Sequence, residues 1–399
     1  MDGKQSTVSD AVTRDQSAGH RPPFSATLHA SREDVEAANL GDQWRRLVLA
    51  RTSPRALFAS PEWWAPVGAT DREHPLGLLA VRDAEGELSG VVPVRGQEVK
   101  LDYSVKTRSL WTTRLLGMEV LGGEPMLPPD AKLYDSFFAM LNATYPQYDC
   151  ISLEMVPTDG FCWRYLQGSP LIKERFLLYT PEGAGDTRLA RLPDSFEAYL
   201  AKFKSKNRFN LKKKVRLLRE HGGGALRLDR YESPEEVEAF LEAGSAVALR
   251  SWQHVAVGER IANDPYWRSK LADLARRGLF RGYVLVCGQT PCAFVLGYQY
   301  SGVYHYVQPG YDRSFAELAP GIVMLYLMIE DLIVHRPARL LSFGYGDSDY
   351  KQMFGNASSP DASVLLLRKT LGNRLRRASH ATFRRAVQKL KSRLRAGHP

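Results

Sequence analysis

Apolar residues fall in short runs along the chain, broken by glycine and proline and interleaved with stretches of helical spacing. From Asp42 to Ala50, the residues Trp44, Leu47 and Val48 recur at helical intervals. PLGLLAVRD, the turn AEGE and then LSGVVPVRG read as a β-hairpin. The Gly- and Pro-rich stretch Trp111 to Asp130 reads as loop. KLYDSFFAMLNATY predicts a helix with Leu133, Phe137, Met140 and Leu141 on one face, and DCISLEMV and RFLLYT predict strands.

After the turn-rich segment 181–193, the pattern becomes more regular. DSFEAYL opens a helix, with Asp194 as N-cap and Glu197 three residues on. KFKSKNRFNLKKKVRLLRE places Phe203, Leu211, Val215 and Leu218 on one face. SPEEVEAFLEAGSAVALRSW is a helix capped by Ser233, and PYWRSKLADLARRG is another, stopped by Gly278. RGYVLVC, CAFVLGYQY and VYHYVQP read as three successive strands. A helix from Pro320 to His335, a strand at ARLLSFG, a short helical turn near SDYKQMFG and a strand at SVLLLRK complete the order. The strand–helix–strand step from VYHYVQP to ARLLSFG resembles a crossover between neighbouring strands.

The fold class expected is therefore α/β (α+β), with mixed central sheets flanked by helices. The expected boundaries are a disordered N-terminus over 1–25, a first domain over 26–180, a linker over 181–193, a second domain over 194–369 and a basic amphipathic tail over 370–399. The first half repeats a hairpin–helix–strand–helix–strand order, which suggests two similar units in tandem, although no sequence repeat is visible.

Composition narrows the classes. The 399 residues are 44% hydrophobic and 25% charged, the balance of a globular protein. The polar N-terminus has no apolar h-region, so a cytoplasmic protein is expected. Cys150, Cys162, Cys287 and Cys292 form no CxxC pair and read as buried free thiols, with no metal site. Eleven of the Lys and Arg lie between Arg368 and Pro399, with no Asp or Glu, which leaves the body of the chain near neutral although the whole carries +10.

Three segments could carry chemistry. The loop before Gly321 leads into a helix whose first N–H groups would form an anion site; a start after proline for packing reasons alone is the plainer reading. LLSFGYGDSDYKQMFG brings Asp347, Asp349, Tyr350 and Lys351 to the end of a strand, the edge where ligand sites in α/β sheets lie. The nine Lys and Arg from Lys202 to Arg219 form either a solvated helix face or a contact for anions.

Five of these segments in order, NRFNLKKKVRLLRE, ALRSWQ, PCAFVLGYQYSGVYHYVQPGYD, LAPGIVMLYLMIEDLI and LLSFGYGDSDYKQMFG, resemble the CelD/FemAB-like branch of the GNAT acyltransferase superfamily. The resemblance covers roughly residues 193–370. It implies a GNAT fold there, an acetyl-CoA or other acyl-CoA donor and an amine acceptor such as an amino sugar of a polysaccharide or cell-envelope precursor; with the repeated element order of the first half, tandem GNAT-like domains are the expected fold. On it, Val307, Leu318, Ala319, Gly321, Ile322 and Val323 would hold the donor. Arg208, Lys212, Arg250, Trp252 and Tyr306 would line the acceptor side. Departing from the family's Q/R-x-x-G-x-G/A loop, Phe315 to Pro320 contains no glycine.

Acyl transfer from a thioester needs a neutral amine, an oxyanion donor and a proton for the leaving thiolate. His305 or Asp347 is the candidate base, Tyr350 the candidate acid and Lys351 the group for an anionic acceptor or the oxyanion. A packed core histidine is the plainer reading of His305. Two alternatives remain: transfer from aminoacyl-tRNA, for which the basic helix and tail would serve, and a non-catalytic component of a polysaccharide-synthesis assembly. DNA binding is not expected. The tail, with Leu371, Leu375, Phe383, Val387, Leu390 and Leu394 among its cations, would either lie on an anionic membrane at its inner face or pack on its own domain.

Overall fold

The computed structural model describes residues 24–51, 53–70, 74–105, 108–251, 261–346 and 348–396. In the first half, β1 (Phe24–His29), β2 (Leu76–Asp83), β3 (Leu88–Val105) and β4 (Arg108–Val120) lie antiparallel side by side. Helices α1 (Arg32–Ala37), α2 (Gly41–Ala50) and α3 (Pro61–Thr70) fall between β1 and β2. Helix α4 (Ala131–Thr144) crosses over to β5 (Cys150–Pro157), which runs parallel to β4. Then follow α5 (Phe161–Gly168), α6 (Pro170–Arg175), β6 (Phe176–Tyr179) and β7 (Ala184–Arg191).

The second half begins with α7 (Phe196–Leu200) and α8 (Ser205–His221). Next come β8 (Leu226–Tyr231), α9 (Val237–Arg250) and α10 (Pro265–Arg276). Strands β9 (Gly282–Cys287), β10 (Thr290–Tyr300) and β11 (Val303–Tyr311) pair antiparallel, as the pattern predicts. Helix α11 (Pro320–Val334) crosses over to β12 (Leu340–Tyr345), parallel to β11, which meets the crossover expectation. The chain closes with α12 (Asp349–Phe354), β13 (Ala357–Arg368) and α13 (Leu371–Ala396).

All thirteen strands join one continuous sheet, ordered β1-β2-β3-β4-β5-β13-β7-β12-β11-β10-β9-β8, with β6 also on β13. Strand β13 holds the halves together. One edge pairs with β5 of the first half; the other pairs with β7 over Ala357–Ala362 and with β6 over Leu365–Arg368. Its alternation places Val364 and Leu366 in the core under α4, α5 and α6, and Leu365 and Leu367 in a cluster on the opposite face. A strand late in the sequence thus completes the core of the early unit.

Three expectations are corrected. The first half of the stretch 111–130 read as loop is β4: Gly117 lets strands approach, since a Cβ there would lie 2.5 Å from Val99 Cγ2. The segment 181–193 is not a bare linker, because β7 pairs with β12 and β13 there. The cap of α7 is Ser195, whose hydroxyl accepts from Ala198 N–H at 3.1 Å, and not Asp194. The four cysteines are free and buried, as expected, and burial pushes the Cys150 and Cys292 thiols up to about 12.

In the second half, α7, α8 and α11 cover one sheet face, and α9 and α10 cover the other. Leu57, Phe58 and Trp63 of the first half pack into that second cluster, so the halves share an apolar contact as well as a sheet. No helix among the described residues is long and apolar enough to cross a membrane.

Candidate functional site

Strands β11 and β12 pair only over Val303–His305 and Leu340–Ser342. Beyond that point they diverge. On its other edge, β11 bulges: Gly297 of β10 faces Tyr306 while Leu296 faces Gln308, so Val307 is the extra residue. Among the described residues, Val307 pairs with neither neighbouring strand, and it is 42% exposed. Gly297 makes the bulge possible, because a Cβ there would lie 2.1 Å from the Tyr304 hydroxyl and 2.8 Å from His305 O. The bulge places Val307, an exposed residue without a partner in either ladder, at the point where the two strands part.

Aromatic rings floor that wedge. Tyr306 and Phe343 follow the last paired residues, with centroids 5.6 Å apart, and Tyr350 of α12 lies 6.3 Å from each. Burial raises the Tyr350 phenol, so it stays protonated and can donate. The structure thus brings Tyr306, Val307 and Tyr350 together. Phe343, the third ring, was not a candidate on sequence: a single Phe in an apolar strand carries no signal of a site.

The start of α11 is sparse in free N–H groups. Ala319 is left-handed, with φ +50°, and offers no side-chain cap to α11. Ile322 and Val323 N–H both donate to Ala319 O, at 3.0 and 3.2 Å, and Ala319 N–H donates to Ala316 O. Pro320 has no N–H. Among residues 319–323, Gly321 contributes the N–H that has no partner inside the turn. Val323 has a fully buried side chain, while Leu318 and Ile322 are half-buried and pack on the core.

Other candidates have internal partners. Lys351 Nζ donates to Tyr345 O at 2.8 Å, tying α12 to the end of β12. Arg250 bonds Asp312 through Nε and Pro291 O through Nη2 at 3.3 Å, so it anchors the turn after β11 instead of facing a ligand alone. His305 points to the face opposite Tyr306, 4% exposed, edge-on to Phe58 at 4.9 Å. Burial, and then the charge of Arg55, lower its pKa to about 3. That is a packed, neutral histidine and not the expected base. Asp347 and Trp252 lie outside the described residues.

On the α8 side, Arg208 is half-buried and contacts Ser205 Oγ at 3.3 Å, while Lys212 is exposed on the helix surface. Lys202, part of the basic run but not singled out, is better placed. It lies over the Tyr199 and Phe203 rings, bonds the closing carbonyls of α12 at Phe354 and Gly355, and burial lowers its pKa to about 8. A groove of about 450 Å³ beside it is lined by Lys204, Asn207, Gln352 and Asn356.

Comparison with known proteins agrees with this geometry. A family profile described as "Acetyltransferase (GNAT) domain" matches residues 205–352, the segment from α8 through α12. Among solved structures, FemX is similar at 12% identity with a TM-score of 0.57, covering 82% of this chain and 96% of FemX. A conserved protein of unknown function from Bacteroides thetaiotaomicron is similar at 10% identity and TM-score 0.53, covering 83% of this chain and 97% of that one. The C-terminal domain (DUF2156) of a putative lysylphosphatidylglycerol synthetase from Agrobacterium fabrum is similar at 9% identity and TM-score 0.50, covering 86% and 96%. A comparison with curated protein sequences finds no match. The fold is thus like that of FemX over most of the chain, and residues 205–352 match the acetyltransferase (GNAT) domain profile.

Proposed function

We propose that this protein is an N-acyltransferase that moves an acyl group from acyl-CoA to an amine, with an amino sugar of a polysaccharide or cell-envelope precursor as the acceptor class. The observation that carries the reading is the unpaired backbone at Val307 beside the protonated Tyr350. Val307 N–H would donate to the thioester carbonyl and to the oxyanion that develops from it. As the amine nitrogen bonds to the acyl carbon, the C–S bond breaks and Tyr350 gives its proton to the thiolate. The amine must lose one proton. His305 does not suit that step, and Asp347 is the remaining base from the sequence. Uncapped α11 favours the donor phosphates, though with few N–H groups.

Calorimetric titration with acetyl-CoA and longer acyl-CoAs tests the donor. Saturable binding with 1:1 stoichiometry is expected, and absence of binding across the series would sink the reading. A second reading, transfer from aminoacyl-tRNA, draws support from the sparse phosphate turn and the cationic surface of α8. It predicts tRNA binding whose affinity falls steeply with salt and no acyl-CoA binding.

A further inference from the structure

Helix α13 packs on the molecule through an unusual seam. Asn373, His380 and Val387, seven residues apart, are 0, 2 and 9% exposed. Asn373 Nδ2 donates to Asp149 O at 3.2 Å, and the His380 ring contacts the Tyr179 hydroxyl at 2.5 Å and Asp102 O at 3.2 Å. Phe383 lies against Tyr103, with centroids 5.3 Å apart. The tail's apolar residues thus divide between two faces of the helix. Phe383 and Val387 turn inward, while Leu371, Leu375 and Leu390 turn out, 81, 71 and 52% exposed.

The outward face mixes those leucines with exposed Arg374, Arg385 and Lys389, at the three- and four-residue steps of one helix side. Inward-leaning Arg376 and Arg384 pair with Asp149 and Glu182, the acids beneath the helix. Alongside, Trp111 is 66% exposed; it faces Tyr103 across the β3–β4 ladder and so shares the sheet face on which α13 lies.

We propose that this face, the outer side of α13 with Trp111 beside it, docks on an anionic lipid bilayer. Charge complementarity argues for it: the chain's excess positive charge lies on this segment, where no acid occurs, and the remainder is near neutral. The leucines decide between lipid and nucleic acid. Phosphate backbones would use the cations alone, whereas a bilayer takes up exposed Leu side chains at its interface and a Trp ring at headgroup depth. The proposal is independent of the transfer reaction.

The test is co-sedimentation of the full chain with phosphatidylcholine vesicles, with and without phosphatidylglycerol. Binding should require phosphatidylglycerol and weaken as salt rises. Arg374→Glu with Arg385→Glu should weaken it at least about tenfold, since each cation near such a surface contributes about 1 kcal/mol. Leu371→Ser with Leu375→Ser should weaken it several-fold, and both variants should keep the wild-type melting temperature because the positions face outward. Equal binding to neutral vesicles, or wild-type binding by both variants, overturns the proposal. So does binding to single-stranded RNA with none to phosphatidylglycerol vesicles.

Discussion

The molecule contains two strand–helix–strand crossovers, β4–α4–β5 and β11–α11–β12, each joining parallel neighbours in the same sheet. They differ at the helix start. Asp130 caps α4, its carboxylate accepting from Lys132 N–H at 2.7 Å, so negative charge already occupies the positive end of that helix dipole. Ala319 gives α11 no such group. The surroundings differ in the same sense. Beside the first crossover, Glu119 is 7% exposed and paired with Arg95 at 2.5 Å, while Glu154 lies 3.7 Å from Arg55. Beside the second, the wedge holds aromatic rings and unpaired backbone. The same crossover motif thus occurs in both halves, closed by its own side chains in one and open in the other.

The comparison can be broken most severely at the strand the halves share. Leu366→Asp would bury an unpaired carboxylate in the first-half core from a second-half strand, costing on the order of 4 kcal/mol or more. Urea denaturation should show the whole molecule destabilised in one transition. Loss of second-half structure alone would show that the halves fold independently. Next in size, Tyr350→Phe should lower kcat by about a hundredfold with KM little changed. An unchanged kcat would remove the phenol from the chemistry.

Exchanging the two helix starts sharpens the contrast. Ala319→Asp, in a left-handed conformation that Asp tolerates, should weaken acyl-CoA binding about tenfold. Asp130→Ala should leave that affinity unchanged while costing about 1 kcal/mol of stability. Equal losses of affinity in the two variants would contradict the assignment of the donor to α11.

The smallest expected effect separates packing from catalysis at His305. Its folded pKa is lowered to about 3 from 6.5, so the unfolded chain binds the extra proton between those values. Stability from this residue is complete above pH 6.5 and declines as pH falls toward 3, by about 1.4 kcal/mol at roughly pH 5.5. Denaturation curves of His305→Asn should show a shallower acid loss, and rates near neutral pH should change little. A large kcat loss there would restore His305 to the reaction.

Much of the second half is legible in its sequence because its cues are local. The Ser233 cap, the stop at Gly278, the three apolar strands and the Pro320 helix start each depend on neighbours within a few residues. β4 and β7 are not legible in that way. Their turn-like composition is overridden by ladder pairing with distant strands, β3 for one and β12 and β13 for the other. At the candidate site, Tyr306, Val307 and Tyr350 stand out in the sequence, yet Phe343 and Lys202 do not, because only packing brings them to the wedge and the groove.

What the sequence determined by itself is the order of elements, the apolar faces that make them fold and the placement of charge, since these follow from periodicity, capping and composition. The tertiary structure decided the rest. It drew β13 into the centre of one shared sheet, buried His305 against Phe58, tied Arg250 and Lys351 to internal partners, and turned three leucines of α13 toward solvent. Each of those outcomes depends on which distant surface a side chain meets, and local spacing carries no information about that.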